Sequence, residues 1–116
     1  MKKADFLAEF ISLMDAGHQT LGRMKLHEPI DLYPREKSHK SVGIPLPNTI
    51  PLHKEIEVFL QLEDSDAKVV HRSQTKVILK KPDATLTWVI HVFPPNSKGQ
   101  IVKDSFKLDG GIIKAT

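Results

Sequence analysis

The sequence predicts an α+β domain in which two helices pack on one face of an antiparallel β-meander of four or more strands. Three observations lead there. Apolar residues near the N-terminus recur at helical spacing, a second such run covers 50–62, and from 67 onward short apolar segments alternate with turn residues. The 116 residues suit a single domain with one core.

The first helix is expected within 1–17. Phe6, Leu7, Phe10, Ile11 and Met14 recur at the i, i+4, i+7 spacing of one helix face, with Asp5 and Glu9 near the N-terminal end, where the helix dipole favours acids. Gly17 stands where a C′ glycine would stop the helix. Its stripe is a core face or a homodimer face. From 18 to 50 the pattern weakens. Five of the eight prolines fall between Pro29 and Pro51, which rules out a long helix. Segments 22–27 and 41–46 read as short strands, the second suited to a sheet edge where proline is tolerated. The segment's Leu, Ile and Tyr residues imply that it wraps against the core.

A second helix is expected over 50–62. Asn48 or Thr49 can cap it, Pro51 suits its first turn, and Leu52, Ile56, Phe59 and Leu60 form a buried stripe. The meander follows over 67–108, with strands at 67–72, 74–80, 85–93 and 101–108. Turns at Ser73-Gln74, Lys81-Pro82-Asp83-Ala84 and Pro94 to Gly99 separate them. Residues 109–116 form a tail.

Alternation along strands sorts the meander into two faces. Trp88, Leu86, Ile90 and Val92, joined by Val77, Leu79 and Val70, make an apolar side that receives the helices. The opposite side collects His71, Lys76, Ile78, Lys80, Thr85, Thr87, Val89 and His91. Pairing Phe93 with Ile101 adds Lys103, Ser105 and Lys107. The result is a face with four lysines, two histidines and no acid. Asp104 resists this scheme, because it points into the apolar side beside Ile90. A bulge, a slipped register or an edge position would relieve it.

Charge supports an anionic partner for the second half. The net charge is only +3, but residues 1–66 carry eight Lys/Arg against eleven Asp/Glu, whereas 67–116 carry nine against three. With no cysteine, disulfides and thiolate metal sites are excluded. Asp5 and Glu9 interrupt the N-terminal apolar stretch, and no run approaches the ~20 apolar residues of a spanning helix, so neither a signal peptide nor a membrane span is expected. The expected compartment is the cytoplasm.

Six histidines (18, 27, 39, 53, 71 and 91) lack the spacing of a helical or zinc-finger site, so no metal is expected. No Gly-x-Ser-x-Gly, Gly-x-Gly-x-x-Gly or Walker pattern occurs, and no cofactor is implied. The leading expectation is a small non-enzymatic binding or accessory protein whose basic sheet face engages an acidic partner. The binding residues would be Lys76, Lys80, Lys103, Lys107, His71, His91 and His39. One alternative is nucleic-acid binding, for which phosphate neutralisation by lysines is the physical basis and Phe93 the one ring on the face. Another is a small hydrolase or nuclease using His71 and His91 as acid and base, with Lys76 or Lys103 stabilising an oxyanion.

The stretch Arg35-Glu36-Lys37-Ser38-His39, then Ile44-Pro45-Leu46-Pro47, then His71 and finally Trp88-Val89-Ile90 resembles short bacterial domains labelled "luciferase domain". The match covers about 36–92. It departs from that pattern in a longer gap between His71 and Trp88 and in the added 94–116 tail. The resemblance implies no settled activity, and within it His39 and His71 are the residues singled out.

Overall fold

The computed structural model describes residues 3–13 and 19–115. It contains eight strands: β1 Lys3–Ser12, β2 Thr20–Pro29, β3 Ser38–Pro45, β4 Glu55–Glu63, β5 Val69–Leu79, β6 Thr85–Asn96, β7 Gly99–Leu108 and β8 Ile112–Lys114. No helix occurs among the described residues. The architecture is therefore all-β, and both expected helices are corrected to strands.

The strands form two antiparallel sheets, one of five strands in the order β2-β1-β4-β5-β8 and one of three in the order β3-β6-β7. Their inner faces enclose one core, as in a β-sandwich. From β1, Ala4, Phe6, Ala8 and Phe10 point inward, and from β4, Ile56, Val58, Leu60 and Leu62. Val42 and Ile44 of β3 and Leu86, Trp88, Ile90 and Val92 of β6 meet them from the other sheet. Phe6 stands edge-on to Trp88, with ring centroids 5.6 Å apart and an 87° interplanar angle, which ties the sheets at the centre.

Each correction has a physical cause. In β1 the inward residues alternate, but two are alanines, strong helix formers that add little to a period-two signal. Leu7 and Ile11 on the outer side then complete a false helical stripe. Met14 and Gly17 lie outside the described residues. In β4, Phe59 points outward and stays 36% exposed. It supplies the i, i+3, i+4 spacing with Ile56 and Leu60 that mimics a helix.

The meander is redistributed between the sheets. Residues 69–79 are one strand, so no turn occurs at Ser73-Gln74. The turn at 81–84 exists, with Asp83 at φ 66°, but it carries the chain from one sheet to the other. β5 pairs with β4 and β8, and β6 pairs with β3 and β7. The 85–93 and 101–108 strands do form a hairpin with Phe93 opposite Ile101. Its turn is closed by Gly99 at φ 113° and by an Asn96 side chain accepting the Lys98 N–H at 2.8 Å. The two short strands expected within 18–50 are β2 and β3, and β3 is indeed a sheet edge ending at Pro45. Ile30, Leu32 and Ile50 from that region are buried in the core. Part of the 109–116 tail is β8.

Candidate functional site

The register of the three-stranded sheet lays out its outer face as rows. His39, His91 and Lys103 form one row, Ser41, Val89 and Ser105 the next, and Gly43, Thr87 and Lys107 a third. These positions alternate with the buried Val42, Ile44, Trp88 and Ile90, so all of them face away from the core. No outward-facing strand position of this sheet carries an acid among the described residues.

Cations concentrate at one end of the face. Lys37, in the approach to β3, places its ammonium 5.4 Å from the Phe93 ring centroid, and Lys103 of β7 lies 5.7 Å from the same centroid. The ring's negative quadrupole stabilises both ammoniums. Neither lysine makes an ion pair with a carboxylate among the described residues. Beside them the His39 and His91 rings lie 5.9 Å apart and tilted by 32°. His91 is half-buried, and its Nδ1 is buried without a hydrogen-bond partner. Burial, then the charge of Lys37, then His39, hold its imidazole below the usual histidine range.

The structure thus brings together four of the seven expected binding residues: His39, His91, Lys103 and Lys107. It separates the other three. Lys76 lies on the outer face of the five-stranded sheet, because Thr75, Val77 and Leu79 take the inward positions of β5, and Lys80 follows directly after the end of that strand. His71 shares the inward side of Thr75, Val77 and Leu79. The expected patch with four lysines on one meander is corrected accordingly. A two-histidine acid–base pair is also absent, since His71 points between the sheets while His91 points out of the sandwich. His39 and His71, singled out by the resemblance, are likewise on different faces. Lys37 and Phe93 as a cation–π pair escaped sequence reasoning. The signal was present only as Lys37 lying two residues before His39.

His71 has a different role. Its Nε2 lies 2.8 Å from Asp104 Oδ1, and the Trp88 indole donates to Asp104 Oδ2 at 2.9 Å. Ser73 also hydrogen-bonds this carboxylate. Burial pushes the Asp104 pKa up, but the bonds from Trp88, His71 and Ser73 outweigh it and hold the carboxyl below its ordinary range. An ionised Asp104 can only accept, so His71 Nε2 is the donor. Asp104 does point inward beside Ile90, as expected, and β7 is an edge strand. What relieves it is this polar cluster, which links β5 of one sheet to β6 and β7 of the other.

A broad concavity lies elsewhere. An open saddle of about 860 Å³ crosses the outer face of the five-stranded sheet, lined by Leu7, Glu9, Arg23, Phe59, Gln61 and Arg72 among others. It contains none of the expected site residues. Among the described residues no group of three or more His, Asp or Glu side chains is arranged to hold a metal. Among the described residues no helix is long and apolar enough to cross a membrane. No family model matches the chain, and neither does a curated protein or a solved structure.

Proposed function

We propose that the protein is a non-enzymatic binding or accessory domain that engages an acidic protein partner through the outer face of its three-stranded sheet. The observation that carries this reading is the pair of ammoniums of Lys37 and Lys103, held over one phenyl ring and, among the described residues, paired with no carboxylate. Cations arranged this way remain available to an incoming anion, and they steer its approach as well as holding it. Lys107 extends the same sign across the face, in the sheet rows that His39 and His91 begin.

The test compares two labelled probes, a rhodamine-tagged deca-aspartate peptide and a deca-thymidine oligonucleotide, by fluorescence anisotropy. The expected outcome is peptide binding that weakens with salt and falls at least tenfold in Lys37→Glu/Lys103→Glu. Lys76→Glu/Lys80→Glu, on and directly after β5 of the other sheet, should bind like the parent. Binding of the oligonucleotide alone would replace this reading with nucleic-acid recognition, whose affinity falls steeply with salt as counterions are released. Failure of both probes would reject the basic face as a binding surface.

A further inference from the structure

The basic face has a distinct centre. His39, His91 and Lys103 stand in one cross-strand row, with Lys37 and Phe93 immediately beside it. The charged and titratable groups around His91 are Lys37 and His39 from the β3 side and Lys103 from β7, all cationic or able to become so. No carboxylate faces it from any packed element among the described residues. Its Nδ1 is buried and partnerless. Adding a proton to this ring in the free protein would create a buried donor with no acceptor, beside two fixed positive charges. The free protein therefore disfavours the protonated form of His91.

Resting on the reading of this face as the binding surface, we propose that the His39–His91–Lys103 row with Lys37 is the seat for one carboxylate of the acidic partner, and that seating it draws a proton onto His91. A carboxylate within about 4–6 Å of the ring reverses the local field that opposes protonation. Binding and proton uptake are then linked, so each favours the other by the same factor. The sign follows directly. His91 titrates below its ordinary range when free and higher when the anion is seated. Affinity therefore rises as pH falls from the bound-state pKa toward the free-state one, and levels off below both. One unit of displacement corresponds to tenfold in affinity.

The experiment measures rhodamine-tagged deca-aspartate binding between pH 5.5 and 8.0 at constant ionic strength, a window in which aspartate stays ionised. Affinity should be about tenfold tighter at the acidic end. Calorimetry of the parent protein in two buffers with different ionisation heats should record uptake of a fraction of one proton, a readout that needs no variant. His91→Gln should lose the pH dependence, the ratio of its affinities at pH 5.5 and pH 8.0 falling toward one whatever its absolute affinity, with Trp88 emission confirming its fold. Binding of equal strength across the range without proton uptake would overturn the seat while leaving the proposed function standing. Absence of peptide binding at every pH would overturn both.

Discussion

At the residue scale the decisive side chain is Asp104. A carboxylate facing the core of a small domain is normally a large liability, because burying an unpaired charge is costly. Here three donors converge on it. Asp104→Asn removes the charge and turns one amide hydrogen-bonding edge toward donors, so part of the cluster is left unsatisfied. We expect a loss of about 2–4 kcal/mol, measured by urea denaturation with Trp88 emission as the probe. The pH dependence has a definite sign. Because the folded pKa of Asp104 lies below its unfolded value, its contribution is complete above the ordinary carboxylate range. That contribution is lost as pH falls toward the folded pKa. Asp109 acts in the same window and direction, its carboxylate accepting the backbone N–H groups of Gly111 and Thr85. Stability should therefore drop below about pH 4, and the drop should be shallower in Asp104→Asn. Equal acid profiles for parent and variant would contradict this account. Asp104's inward direction was legible in the sequence. Its partner His71 was not, because a supposed turn at Ser73-Gln74 reversed the parity of β5.

At the scale of single elements, β4 is where two periodicities compete. Ile56, Val58, Leu60 and Leu62 alternate with acids and glutamine, while Phe59 adds a helical echo. Strand and helix make opposite forecasts for neighbouring positions. Val58 is fully buried, so Val58→Ala should cost about 2 kcal/mol, whereas Phe59→Thr on the outer face should change stability by less than about 0.5 kcal/mol. A large loss at Phe59 with none at Val58 would restore the helix. The β6–β7 hairpin contrasts with β4. The alternation of Leu86, Trp88, Ile90 and Val92 and the break at Pro94 to Gly99 each point to one answer, and the register followed from them. Where propensity, pattern and turn chemistry agree, the element is readable; where two are compatible, packing decides.

At the scale of the whole molecule, hairpins link only β1 to β2, β4 to β5 and β6 to β7. The pairings β1–β4, β3–β6 and β5–β8 join segments far apart in the chain. Such contacts require closing long loops before they reward the chain, so refolding should take milliseconds to seconds, not microseconds. Stopped-flow emission of Trp88 checks this. The far-ultraviolet circular dichroism spectrum should show sheet without helical minima. The sandwich also explains why the basic surface is smaller than a single meander would make it. Two sheets give two outer faces, and Lys76 of β5 went to the one that the histidine row does not share.

The sequence by itself determined the β6–β7 hairpin and its register, the inward placement of Trp88, Ile90 and Asp104, and the acid-free row through His91 and Lys103. These are consequences of strand alternation and turn residues, which act over a few neighbours. Tertiary structure alone decided that residues 3–12 and 55–63 are strands, that β5 and β6 belong to different sheets, and that His71 meets Asp104. The physical reason is common to all three. An apolar segment of eight to ten residues can bury its surface as helix or strand, and a turn can close a hairpin or cross between layers. The choice belongs to whichever partner the rest of the chain supplies.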